Sequence, residues 1–145
     1  MENTKPVATA KKEILSIEKV LQTLLQSQEK GDIESFSGCF LHNSSVVHIG
    51  TDVDEYFSSW RDYLHWVDDI LLTRKGHEIN AKETRIQVSE DAKTAWYSQL
   101  IDTCYETKGE ITRIEGFRHT GVLTKTPDGW KIVQSHVSAP IIPES

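Results

Sequence analysis

Long hydrophobic runs are missing from this sequence. No stretch approaches the roughly 18 consecutive apolar residues of a membrane-spanning helix, so no span is expected. Charges at Lys5, Lys11, Lys12, Glu13, Glu18 and Lys19 break up residues 1–30, which excludes the unbroken apolar stretch of a secretory leader. The expected compartment is the cytoplasm. Cysteine is scarce: Cys39 and Cys104 are too few for a disulfide framework, and their apolar neighbours point to buried, inert thiols. Basic runs are absent and the net charge is −6, so neither a nucleic acid nor an anionic membrane is an expected partner.

Motifs are missing too. None of the six histidines falls in an H-E-x-x-H arrangement and there is no C-x-x-C, so no metal site is expected. There is no G-x-S-x-G elbow, no G-x-G-x-x-G and no Walker loop, so neither serine-hydrolase nor nucleotide-dependent chemistry is indicated. No cofactor is expected. Any reaction left is proton transfer on a hydrophobic substrate by the chain's own side chains.

What remains is ordinary for one globular domain. The 145 residues are 37% apolar and 26% charged, enough to bury a core without staples. Residues 1–9 are polar and expected to fray, leaving 10–145 as a single domain. Ile14, Ile17, Leu21, Leu24 and Leu25 recur at helical spacing, and Gly31 is a fitting stop. Asp32 can cap a short second helix with Ile33, Phe36, Cys39 and Phe40. SSVVHIG, 44–50, predicts a strand. Asp52 followed by Glu55 resembles a capping box, opening a long aromatic third helix through Tyr56, Trp60, Tyr63, Leu64, Val67 and Leu71. Beyond Lys75 the period changes to two, and turn signals at 89–91, 108–110 and 126–129 divide four antiparallel strands. The class is α+β, with helices packed on one face of a curved sheet.

Three stretches carry a family resemblance: VVHIGTDVDEYFSSW (46–60), FRHTGVLTKTPDGWKIV (117–133) and SHVSAP (135–140). In this order they resemble the SnoaL-like branch of the nuclear-transport-factor-2-like superfamily. The association domain of calcium/calmodulin-dependent kinase II is similar. The resemblance implies a cone-shaped fold with a pocket between helix and sheet, and a homodimer through the sheet's outer face. It leaves the activity open, because the superfamily holds isomerases, cyclases, dehydratases, binding proteins and scaffolds. The association domain's pocket arginines match Ile101, Gly121 and Val137, so their carboxylate-binding role does not carry over.

Strict alternation along the last strands groups Tyr97, Gln99, Glu115, Phe117, His119 and Ser135 on one face, and the resemblance implies that this face lines the pocket. Trp60, Tyr63 and Leu64 join them from the helix. The other parity collects Asp102, Arg118, Thr120, Trp130, Ile132, Gln134 and His136, toward an outer face. His119 is the acid–base candidate, with Glu115 two residues away to orient it or act as base; the competing and favoured reading of Glu115 is a solvated rim carboxylate. The competing reading of His119 is a hydrogen-bonded sheet histidine. Arg118, Thr120 and His136 are expected at an interface, with Asp102 ion-paired to Arg118; a bulge would exchange the two sets. The leading expectation is a homodimer binding a small hydrophobic or aromatic molecule. The alternatives are an isomerase, cyclase or dehydratase using a pocket histidine, and an oligomeric association module.

Overall fold

The structure, a computed structural model, describes residues 4–143, with side chains from residue 10 onward. The expected frayed segment 1–9 thus lies partly outside the described residues, and its backbone is helical from Thr4. Helix α1 spans Thr4–Lys30 and buries Ile17, Leu21 and Leu24 along one stripe. It ends where Gly31 takes φ 69°: Asp32 N donates to Ser27 O at 2.9 Å, closing the last turn. Asp32 then caps α2, Ile33–Gly38, by accepting from Ser35 N at 3.2 Å. Such a cap contributes about 1 kcal/mol.

Strands β1 (Val47–Ile49), β2 (Tyr56–Phe57), β3 (Lys75–Val88), β4 (Thr94–Thr107), β5 (Glu110–Thr126) and β6 (Gly129–Ser138) form one sheet in the order β2-β1-β6-β5-β4-β3. The last four pair antiparallel through hairpins. The β4–β5 turn is two residues, Lys108 and Gly109, both at positive φ, which suits the twist of the flanking strands. β6 sits between β5 and β1, and its pairing with β1 is parallel.

The third helix corrects the sequence expectation. It runs only Trp60–Asp69, capped by Ser59, whose hydroxyl accepts from Asp62 N at 3.3 Å. Asp52 and Glu55 instead belong to the loop of the β1–β2 hairpin, closed by Gly50 N donating to Glu55 O at 2.7 Å. The aromatic periodicity that suggested one long helix is shared between β2 and α3, called α3 from Trp60 onward.

The core lies between α1–α3 and the concave side of the sheet. Phe36, Val67, Leu123 and Ile132 are fully buried there. Trp130 is buried too, and its indole N–H donates to Glu13 on α1 at 2.7 Å. Lys125 donates to the other Glu13 oxygen at 2.8 Å, tying the start of the fold to its final hairpin. Trp130 and Ile132 were expected on the outer face. A register shift opposite Val122–Leu123 leaves Val133 as an extra residue, and parity reverses there. Trp130 and Ile132 before the bulge point into the core, while Gln134 and His136 beyond it point outward.

Candidate functional site

The cone encloses a cavity of about 250 Å³. Leu24 and Leu25 of α1, Tyr63 of α3, and Ile101, Ile114 and Phe117 of the sheet give it an apolar wall. That volume lies just below the roughly 300 to 1,000 Å³ of drug-sized ligand pockets and fits a smaller molecule. Of the expected lining residues, Tyr63, Phe117, His119 and Ser135 reach it, whereas Trp60, Leu64, Tyr97 and Gln99 do not. Trp60 is buried against Phe40 and stacks on His42, ring centroids 4.6 Å apart. Tyr97 and Gln99 are buried beside His119 instead.

A second bulge determines which β5 residues enter. Ile101 faces Phe117 but Thr103 faces Ile114, so β5 has an extra residue, and Gly116 takes φ 76° there. Ile114 therefore turns inward and Glu115 is exposed, against the expectation that Glu115 shares the face of His119. Asp102 meets the same bulge: it accepts from Gly116 N at 2.9 Å and from Lys82 at 2.9 Å. Its ion pair is with Lys82, not Arg118.

His119 is in the wall, but both ring nitrogens are occupied. Thr84 donates to Gln99 Oε1 at 2.8 Å. The Gln99 amide N–H then faces His119 Nδ1 at 3.0 Å. His119 Nε2 meets the Tyr97 hydroxyl at 3.0 Å. With Gln99 as donor, Nδ1 accepts and the proton sits on Nε2. Burial pushes the imidazole pKa down to about 4, so it is neutral near pH 7. The pair His119–Glu115 is thus not assembled as an acid–base unit.

Other polar groups occupy the cavity, and sequence reasoning passed over most of them. The parallel register sets His48 of β1 directly beside Ser135 of β6, with His48 Nδ1 2.6 Å from Ser135 Oγ. The His48 ring stacks on Tyr63 at 4.1 Å between centroids and 18° between planes. Burial, with smaller contributions from His119 and His136, lowers its pKa to about 3. His77 of β3 meets Thr103 at 3.1 Å and is held down at about 4, by burial first and then by Arg74. Among the described residues, its Nδ1 is the one sealed side-chain N or O atom without a partner. Arg74 lines the cavity, its guanidinium 3.9 Å from the Tyr105 ring centroid. A basic group is therefore present, though not at the three positions where the association domain carries arginines.

At the β1–β2 loop, Glu55 folds back over Gly50; any Cβ at Gly50 would collide with its carboxylate. Partial burial raises the Glu55 pKa to about 7, the adjacent Asp52 carboxyl adds to this, and Arg74 opposes it. Asp52, Asp54 and Glu55 bring carboxylate oxygens within 4.8 Å of one another on the exposed side of this loop. His48 was recoverable from the alternation in VVHIG: Val46 and His48 are both buried, with Val47 less so between them. Arg74, His77 and Glu55 had no local signal, because the cone brings them together from separate elements.

On the convex face, three cross-strand rows run Trp96–Val122–Gln134, Ser98–Thr120–His136 and Leu100–Arg118–Ser138. Trp96, Arg118, Thr120 and His136 are exposed. Among the described residues, no helix is long and apolar enough to cross a membrane.

A family model described as "SnoaL-like domain" matches residues 17–142. No curated protein matches the chain. Among solved structures, the chain is similar to a candidate dehydratase of the NTF2-like family from Streptomyces avermitilis: 16% identity, TM-score 0.80, 92% of this chain and 99% of that one. It is similar to a candidate calcium/calmodulin-dependent protein kinase II association domain from Xanthomonas campestris at 18% identity and TM-score 0.72, covering 89% and 87%. It is similar also to a candidate aromatic ring hydroxylase from Novosphingobium aromaticivorans at 12% identity and TM-score 0.77, covering 90% and 91%. At these identities the likeness is one of fold.

Proposed function

The chain belongs to the SnoaL-like domain family, and from that premise we propose that its cone binds one small, largely apolar molecule while the convex sheet face joins two copies. The observation that carries the reading is the cavity of about 250 Å³ between an aliphatic wall and the stacked Tyr63–His48 pair. Its three histidines are held neutral, and its aliphatic wall lies opposite a polar side that includes Arg74 and Glu55, the composition of a site that takes a largely apolar molecule and fixes it with a few hydrogen bonds. The outer face supports the dimer, because Trp96, Val122 and Leu100 leave apolar area uncovered among polar neighbours. A thermal-shift screen of bicyclic aromatic and terpenoid compounds tests the binding. A ligand at one hundred times its Kd adds about 2.7 kcal/mol of stability. That corresponds to a rise of roughly 8 °C. A library without a single stabiliser sinks the proposal. Light scattering at the monomer mass sinks the dimer.

One observation favours a second reading, cofactor-free proton transfer as in an isomerase or dehydratase. It is the Glu55 carboxyl, tucked against Gly50 at the cavity and titrating at about 7. A carboxyl tuned near neutrality can take and return a proton. This moves the acid–base role from His119 to Glu55. Carboxyl ¹³C NMR tests it directly: titration near 4.5 removes the base, and Gly50→Ala, which pushes the carboxyl out, brings the value down toward that.

A further inference from the structure

Ser135 is 1% exposed, and among the described residues its hydroxyl has one hydrogen-bond partner, Nδ1 of His48. A buried hydroxyl needs somewhere to place its hydrogen. The opposite arrangement, with Nδ1–H donating to the oxygen, would leave that hydrogen without an acceptor among the described residues. The serine therefore donates, Nδ1 accepts, and the proton of the neutral imidazole sits on Nε2. Nε2 itself has no partner among the described residues. The one sealed, unpartnered side-chain N or O atom among them is Nδ1 of His77, so Nε2 of His48 keeps open surface. The space beside that ring is the cavity, which His48 and Ser135 both line. Stacking on Tyr63 at 18° between planes fixes the direction in which the N–H points.

We infer that His48 is the specificity-determining hydrogen-bond donor of the cone: a neutral imidazole, oriented by Ser135 and clamped by Tyr63, that presents Nε2–H to a carbonyl-type oxygen of the bound molecule. The ligand class is thus an apolar skeleton carrying one ketone, aldehyde, ester or amide oxygen. A cationic imidazolium would favour a carboxylate instead, but burial keeps this ring uncharged. A hydrocarbon of the same shape would fill the cavity and leave the N–H unpaired, so discrimination comes from the unmet donor as much as from the bond formed. The inference rests on the binding role proposed above, and its test separates the two.

The first measurement needs no ligand. In the ¹⁵N-histidine-labelled full chain at neutral pH, long-range imidazole spectra should show His48 with a bare Nδ1 and a protonated Nε2. Ser135→Ala should blur that preference. A protonated Nδ1 in the unaltered chain overturns the inference. The second measurement compares 2-acetylnaphthalene with 2-ethylnaphthalene, which differ at the carbonyl. The ketone should bind about tenfold more tightly, the worth of one hydrogen bond to an otherwise unpaired buried donor. His48→Phe should abolish that preference while both probes still bind. His48→Gln, whose amide N–H reaches a similar position, should restore part of it. Equal affinity for the two probes in the unaltered chain overturns the inference and leaves cavity binding intact. Failure of both probes to bind at millimolar concentration overturns the ligand assignment, while the binding role falls only if the wider screen also yields no stabiliser. Circular dichroism on each variant identifies loss of fold, and Ser135→Ala supplies the same comparison with a smaller change.

Discussion

Acidification from about pH 7 to pH 5 should unfold this domain far more readily than its surface charge suggests. His48, His77 and His119 titrate in the folded chain at about 3, 4 and 4, against 6.5 for an unburied imidazole. The unfolded chain therefore takes up these protons first. The stability they represent is complete above about pH 6.5 and is lost as pH falls toward 4. At about pH 5 each unfolded histidine has gained roughly 1.5 pH units of proton binding that its folded counterpart lacks, or about 2 kcal/mol. Three such groups cost about 5 to 6 kcal/mol, comparable with the whole stability of many domains. Glu55 works in the other direction: its folded pKa of about 7 lies above the ordinary 4.5, so protonation favours the folded state as pH falls through that window. Half-exposed and screened by solvent, it returns about 1 kcal/mol. The carboxylates held low by hydrogen bonds, Asp32 and Asp102, titrate below this range and stay out of the comparison. The net loss of about 4 to 5 kcal/mol lowers Tm by roughly 12 to 15 °C in a domain of this size. Scanning calorimetry at pH 7, 6 and 5 measures it, and imidazole ¹H–¹³C spectra assign it. A Tm that is flat or rises on acidification, or titration of these three rings near 6.5, refutes the reasoning.

Two further outcomes follow from packing. Gly121→Ala places a Cβ 2.5 Å from Tyr97 Oη and 2.6 Å from Gln134 O. One of those neighbours is backbone, so urea denaturation should show a loss of about 2 to 3 kcal/mol, and an unchanged midpoint contradicts the close approach. Glu13→Ala strips the partner from the Trp130 indole N–H, joined at 2.7 Å, and from Lys125. A buried donor left bare costs about 1 to 3 kcal/mol, visible in the same assay, whereas Glu18→Ala on the exposed side of α1 should move stability by less than about 0.5 kcal/mol.

The fold was legible because its signals are local or cumulative. The stripe Ile17–Leu21–Leu24, the Gly31 stop, the Asp32 cap and the three hairpin turns each carry their own chemistry in a few residues. The SnoaL-like resemblance rested on their order. The site was legible only in part. Ser135 and Phe117 fell on the expected side because no bulge separates them from the neighbours that define it. Glu115 and the pair Trp130–Ile132 did not, since bulges at Gly116 and Val133 reverse parity in the middle of β5 and β6. Gly116 inside a long strand was a readable warning; Val133 gave none. The pairing of His48 with Ser135 was hidden for another reason, although the burial of His48 itself could be read from the alternation around it. Its partner lies 87 residues away across a parallel pairing that no hairpin announces. The start of α3 was misplaced because Asp52 and Glu55 match a capping box while serving a hairpin loop, and spacing alone does not distinguish the two.

The sheet order also sets a timetable. β6 follows the other five strands in the sequence, yet it lies between β1 and β5 and is the strand on which β1 pairs. During synthesis the β1–β2 hairpin must wait for about 80 more residues, some 4 to 16 seconds at ribosomal speed. Through that interval Phe57, Tyr63 and Trp66 have no completed cone to enter. Nothing in the first hundred residues can close the cavity, so the nascent chain carries its most aromatic surface open until the final hairpin arrives. Chaperone demand should therefore peak just before β6 emerges, and a ribosome stalled before Gly129 should hold a chain that is protease-sensitive from β1 through α3.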